Sequence, residues 1–206
     1  MKIKDRVWYP VAYMFVVTFF FTAILILFGN ITRERIENNE QIAFERAVLE
    51  ALQIDLAHSM SPVVIHQLYT EKILEPDTTS KGAYRYMEND SLIAYALPIA
   101  GPGFWAPVEG VIGISADKQT ITGIAFYEQE ETPGLGGEIV NTFFRNQFIG
   151  KQLKVIGIPL EFRMPTEELD EYSVHTITGA TQTSHRVGKF INSQIAIWQQ
   201  AVGSRE

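Results

Sequence analysis

The 206-residue sequence predicts an α+β protein: a single N-terminal transmembrane helix, then a domain of largely antiparallel sheet with helices packed on it. Three patterns lead there. An uncharged apolar run opens the chain, short segments joined by polar turns fill its middle, and apolar residues at helical spacing close it. Hydrophobic residues make up 46% of the chain, unevenly spread, and the net charge is −7. That acidic balance argues against nucleic acid as a partner, because a phosphate backbone demands a basic footprint. The absence of cysteine excludes disulfides, thiolate-held zinc and iron–sulfur clusters from this chain. His58, His66, His175 and His185 show no spacing suited to a metal site.

Trp8 to Phe28 is apolar and uncharged, and as a helix it spans about 30 Å, the thickness of a hydrocarbon core. Trp8, Tyr9 and Tyr13 sit toward one end, as interfacial aromatics do. The run is too long for a signal-peptide core, and Gly29 to Thr32 offers no small-x-small cleavage site, so residues 1–30 are read as a retained anchor. Lys2, Lys4 and Arg6 precede it, against Arg33 and Arg35 after it. The positive-inside rule then places the N-terminus in the cytoplasm and the domain on the outer side of a single-pass cell membrane. Residues 31–80 are expected to be a stalk helix and a connecting segment. Ile36, Ile42, Leu49 and Ile54 give a partly apolar stripe, while Ser61-Pro62 and Glu75-Pro76 mark breaks.

The folded domain is expected over 81–206. Strands are predicted at 83–87 and 92–97 around a Glu88–Ser91 turn, and at 108–115 and 120–128 around Ala116–Gln119. Such a meander makes an antiparallel sheet. Ile139, Val140, Phe143, Phe144 and Phe148 suggest an amphipathic helix over 139–148, and 151–158 is one more strand candidate. An acidic stretch, Met164 to Tyr172, then leads into His175-Thr-Ile-Thr-Gly-Ala-Thr-Gln-Thr-Ser184. Val187, Phe190, Ile191, Ile195, Trp198 and Val202 follow at helical spacings, so a hydroxyl-rich turn feeds the start of an amphipathic helix. Unpaired N–H groups and the macrodipole make a helix start an anion site, with Arg186 and Lys189 adding charge nearby. An ordinary Thr/Ser cap gives the same pattern.

Three glycine-bearing breaks interrupt the regular pattern: Gly101-Pro-Gly-Phe-Trp105, Glu131-Thr-Pro-Gly-Leu-Gly136 and Thr178-Gly-Ala-Thr181. Phe104, Trp105 and Leu135 could offer flat apolar surfaces to a ring system, and Glu131 could accept hydrogen bonds from main chain or ligand. Each break also reads as a plain turn, with Trp105 in the core and Glu131 solvated.

Taken in order behind a membrane anchor, these breaks resemble the FMN-binding domain of the RnfG/NqrC type. The resemblance covers nearly the whole chain and is strongest from about Gly101 to Phe190. It implies FMN joined by a phosphodiester to Thr181, attached by a separate flavin transferase that uses FAD as donor. It also implies a cofactor site of Thr178, Gly179, Ala180, Gly103, Phe104, Trp105, Glu131, Thr132, Gly134, Leu135 and Gly136. The family's motif usually begins with Asp where this chain has His175. No acid–base pair or nucleophile–histidine arrangement is evident, so the implied role is electron transfer without independent substrate turnover. The implied partners are the other membrane subunits of a redox-driven ion-translocating complex. An Rnf type, ferredoxin to NAD, is expected first. The alternative is NqrC of a Nqr-type Na⁺-translocating NADH:quinone oxidoreductase. A membrane-anchored sensor domain lacking covalent cofactor, and a flavin domain feeding a dedicated reductase, are the rival classes.

Overall fold

The computed structural model describes residues 8–57 and 59–203. Lys2, Lys4 and Arg6, on which the expected orientation rests, lie outside the described residues, as does His58. The chain divides into two compact units, 1–41 and 42–206.

Helix α1 (Trp8–Ala51) begins in the first unit and ends in the second. Its apolar N-terminal part is long and apolar enough to cross a membrane, and its side chains are exposed. Aromatic pairs one turn apart, Tyr9 with Tyr13 and Phe15 with Phe19, stack along it. Beyond the apolar run, Arg33 and Glu37 form an i,i+4 ion pair at 2.9 Å.

The second unit is built on a five-stranded antiparallel sheet in sequential order: β1 (Ile73–Leu74), β2 (Tyr84–Glu88), β3 (Ser91–Pro102), β4 (Pro107–Ser115) and β5 (Ile121–Glu128). Alternation along the strands gives the sheet two apolar faces. Tyr95, Leu97, Ile99, Ile112, Ile114, Ile124 and Phe126 enter one core. Ala94, Ala96, Val111 and Ala125 enter the other. The small alanines leave room for a helix to lie close, and there the end of α1 packs with α2 (Pro62–Lys72). A Cβ at Gly113 would stand 2.2 Å from the Ala51 carbonyl, so only glycine admits this approach, and Thr122 Oγ1 donates to the same oxygen at 2.8 Å. Residues read as stalk thus contribute Val48, Leu49, Ile65 and Tyr69 to a core of the domain. Glu45, buried among them, is 2.8 Å from His66 Nδ1.

The opposite face is covered by α4 (Thr181–Gly203), whose Val187, Phe190, Ile191, Ile195 and Trp198 are buried. Trp198 packs edge-on against Tyr95, and its Nε1 donates to Ser80 O at 2.9 Å. Gln194 pairs with both main-chain groups of Ala100 in β3.

Two expected elements differ. Residues 139–148 are not one helix but a 3-10 turn (Gly136–Val140), a short α3 (Thr142–Arg145) and another 3-10 turn (Asn146–Phe148). The Asn141 side chain caps α3 by accepting from Phe143 N, which stops the first turn from continuing into it. Residues 151–158 form no strand beyond a bridge between Gln152 and Thr120. A short parallel pair, β6 (Glu161–Arg163) with β7 (Ser173–His175), follows instead.

Replacing Leu49, fully buried at the end of α1, by Ala should cost about 2–5 kcal/mol. Denaturant unfolding of the full chain in detergent measures this, and a cost near zero would mean the α1 end is not part of the domain core. Asp77 is held at about 2 chiefly by the Thr79 hydroxyl, and Asp170 at about 2 chiefly by the Ser173 hydroxyl. Their unfolded values lie near 3.9, so the stability they add is present above about pH 4 and drains away as pH falls toward 2. The denaturation midpoint should fall across that window, and the fall should shrink in Asp77→Asn.

Candidate functional site

The turn between β3 and β4 is closed by Gly103 N donating to Ala106 O at 2.8 Å. It exposes the Phe104 and Trp105 rings and points the two residues' main-chain N–H groups inward. Both N–H groups reach Glu131 Oε1, at 2.7 and 3.0 Å. Glu131 Oε2 accepts from the Thr183 hydroxyl, in the first turn of α4, at 2.6 Å. Glu131 is 5% exposed, so its charge is met by donors from two other segments rather than by water. The positive end of α4 favours a carboxylate there.

The remaining contacts draw the same three segments together. Trp105 Nε1 donates to Thr132 Oγ1 at 3.1 Å. Arg186 NH1 donates to Gly103 O at 3.1 Å, and its guanidinium lies 5.7 Å from the Phe104 ring centre. Leu135 N and Gly137 N both donate to Thr132 O, curling the Glu131–Gly136 segment into a tight turn. A Cβ at Gly136 would fall 2.5 Å from both Glu131 Oε2 and Thr183 Oγ1, so a side chain at 136 would break the central bond.

Between these segments lies a cleft of about 340 Å³. Phe104, Trp105, Glu131, Thr132, Leu135, Gly136, Gly179, Ala180 and Thr181 line it, all expected from the sequence. Thr181 opens α4 and is exposed. Ser184 N is bonded to Ala180 O, and the N–H groups of a helix's first turn before such a bond have no helical acceptor. Behind the cleft, Ser184 Oγ accepts from Ile177 N, which fixes the turn carrying Gly179 at φ 78°.

Three expected residues stand elsewhere. Gly103 lies behind the rings, its carbonyl held by Arg186. Gly134 and Thr178 line a neighbouring cleft of about 450 Å³ with Phe143, Phe144, Pro165 and His175. His175 Nε2 is 2.9 Å from Glu167 O, and its N–H donates to Gln147 Oε1, so it belongs to that cleft. Thr183 and Arg186 are the functional contributors that sequence reading did not assign a contact. Their places three and six positions into the helix signal only a face of α4.

The groups present suit a phosphate-bearing ring compound. An exposed hydroxyl stands at a helix start, flat apolar walls flank it, and glycine at 136 keeps the cradle open.

Residues 103–196 match the FMN-binding domain family. Among curated relatives, the chain is similar to NqrC of the Na(+)-translocating NADH-quinone reductase of Yersinia pestis, 41% identical over 102 residues. That stretch is 47% of this chain and 37% of the relative. The same protein of Vibrio vulnificus strain YJ016 is 36% identical over 115 residues, 50% of this chain and 42% of the relative. The match therefore spans less than half the length of these relatives. In fold, the chain is similar to the crystal structure of its counterpart from Parabacteroides distasonis (TM-score 0.72, 23% identity, covering 84% of this chain and 98% of that one). It is also similar to that of Shewanella oneidensis NqrC (TM-score 0.59, 18% identity, covering 81% and 94%). The α+β architecture expected from the sequence is thus the one found. These named relatives are of the NqrC type and do not single out the expected Rnf type.

Glu131→Ala removes the shared acceptor of three donors and should cost about 3–5 kcal/mol in denaturant unfolding, with Glu131→Gln losing less. A loss for the alanine variant below about 0.5 kcal/mol, as at an ordinary surface site, would show that the carboxylate does not hold the segments together.

Proposed function

We propose, on the match of residues 103–196 to the FMN-binding domain family, that the chain is a membrane-anchored electron-transfer subunit bearing FMN on Thr181. The observation that carries the reading is the exposed Thr181 hydroxyl at the start of α4, in a cleft walled by Phe104, Trp105 and Leu135. The linkage is a phosphodiester. Thr181 Oγ1 bonds to phosphorus as the P–O–P bond of an FAD donor breaks, AMP leaves, and the hydroxyl proton passes to a flavin transferase.

FMN, when bound, supplies reversible acceptance and release of electrons. The chain supplies the rest. First-turn N–H groups and the positive end of α4 hold phosphate charge. Glu131 keeps the walls in register without engaging the Thr181 hydroxyl, because it draws on Thr183. A tether lets the ring stay partly exposed without being lost, which suits exchange with neighbouring redox centres. The Trp8–Phe28 segment holds the domain beside integral-membrane partners, with the N-terminus cytoplasmic.

Among complexes, the NqrC relatives favour a Nqr-type Na⁺-translocating NADH:quinone oxidoreductase over the Rnf type. Co-expression with a flavin transferase should give a fluorescent band on a denaturing gel. Thr181→Val should lose that band while unfolding as cooperatively as the parent. An unchanged band would move the attachment to another hydroxyl, and a colourless parent would favour a cofactor-free sensor domain.

A further inference from the structure

The segment between Lys154 and Pro159 carries Val155, Ile156 and Ile158 at 70%, 90% and 61% exposure. Single exposed aliphatics are ordinary, but three on one short loop are not scatter. The loop is also tied down. Lys154 N donates to Pro159 O at 3.0 Å, closing its neck. Next to it, Asn192 of α4 holds both main-chain groups of Leu160, each at 2.8 Å. Its ordering entropy is therefore met in folding, and its β-branched side chains have little rotamer freedom to lose on contact.

Charge narrows the choice of partner. At the loop's base, Lys154 pairs with Glu161 at 2.6 Å, and Arg163 pairs with Glu161 and Asp170. Lys151 Nζ donates to Asp170 O. Glu167, Glu168 and Glu171 lie on the same stretch and make no ion pair among the described residues. The rim is thus acidic around an aliphatic tip. An anionic lipid surface would be repelled, whereas a protein socket with apolar walls and a Lys/Arg rim would complement it.

We propose that Val155–Ile158 is a docking knob for a basic-rimmed apolar socket on a membrane subunit of the redox complex. This rests on the function proposed above. Because Asn192 lies on the helix that begins at Thr181, docking there would set the orientation of the cofactor end toward the partner.

The test uses the full flavin-bearing chain in membranes containing the complex. With p-benzoylphenylalanine in place of Ile156, illumination should cross-link to one membrane subunit, identified by mass spectrometry. Val155→Ser/Ile156→Ser/Ile158→Ser should lower co-purification of the complex subunits at least tenfold. Flavin content and melting temperature should hold, and Val63→Ser, exposed on α2, should change nothing. Cross-links to lipid or to a second copy, or unimpaired co-purification of the triple variant, would overturn the proposal. A parent chain without flavin would instead refute the proposed function, and the cross-link from position 156 would still decide the knob.

Discussion

A carboxylate removed from water needs donors, and the domain's site is organised by how Glu131 finds them. Two come from the β3–β4 turn and one from the first turn of α4, segments far apart in sequence. Each bond to an ionised acceptor is stronger than a neutral one, and losing any of them would leave charge buried and unmet. The bonds therefore fix where Phe104, Trp105 and the start of α4 sit. The cleft at Thr181 is a consequence of that arrangement.

The sheet makes the arrangement possible. Its two apolar faces are each closed by helix, with α4 on one side and the end of α1 with α2 on the other. Helix α4 is fixed at several levels: Thr183 to Glu131, Gln194 to Ala100, Asn192 to Leu160 and Trp198 to Ser80. A helix held at so many points does not shift along its axis. Its N-terminus, where Thr181 stands, is correspondingly well placed for a group that must meet partners at a reproducible distance.

Much of this was legible in the sequence. Period-two alternation marked the central strands, and helical spacing from Val187 to Val202 marked α4. Nine of the residues expected at the cofactor site line one cleft, because the glycine breaks could only be turns and turns of a meander gather at its ends. What was hidden depends on contacts between distant segments. Nothing near Thr183 announces that its hydroxyl goes to Glu131, and nothing in Ile42–Leu52 separates a free stalk from a core layer. Apolar spacing over 139–148 suggested one helix, but the Asn141 cap divides it. Residues 151–158 alternate like a strand, yet Gly157 at φ 92° and the exposed aliphatics make a loop.

The central claim is that this scaffold presents one hydroxyl, Thr181, among the several in its motif. Tandem mass spectrometry of a proteolytic peptide spanning Thr176 to Ser184, from flavin-bearing protein, reads that choice directly. The account predicts FMN less one water on Thr181, with Thr178 and Thr183 bare. Flavin located on Thr183, whose hydroxyl is committed to Glu131, or on Thr178 in the neighbouring cleft, would contradict it.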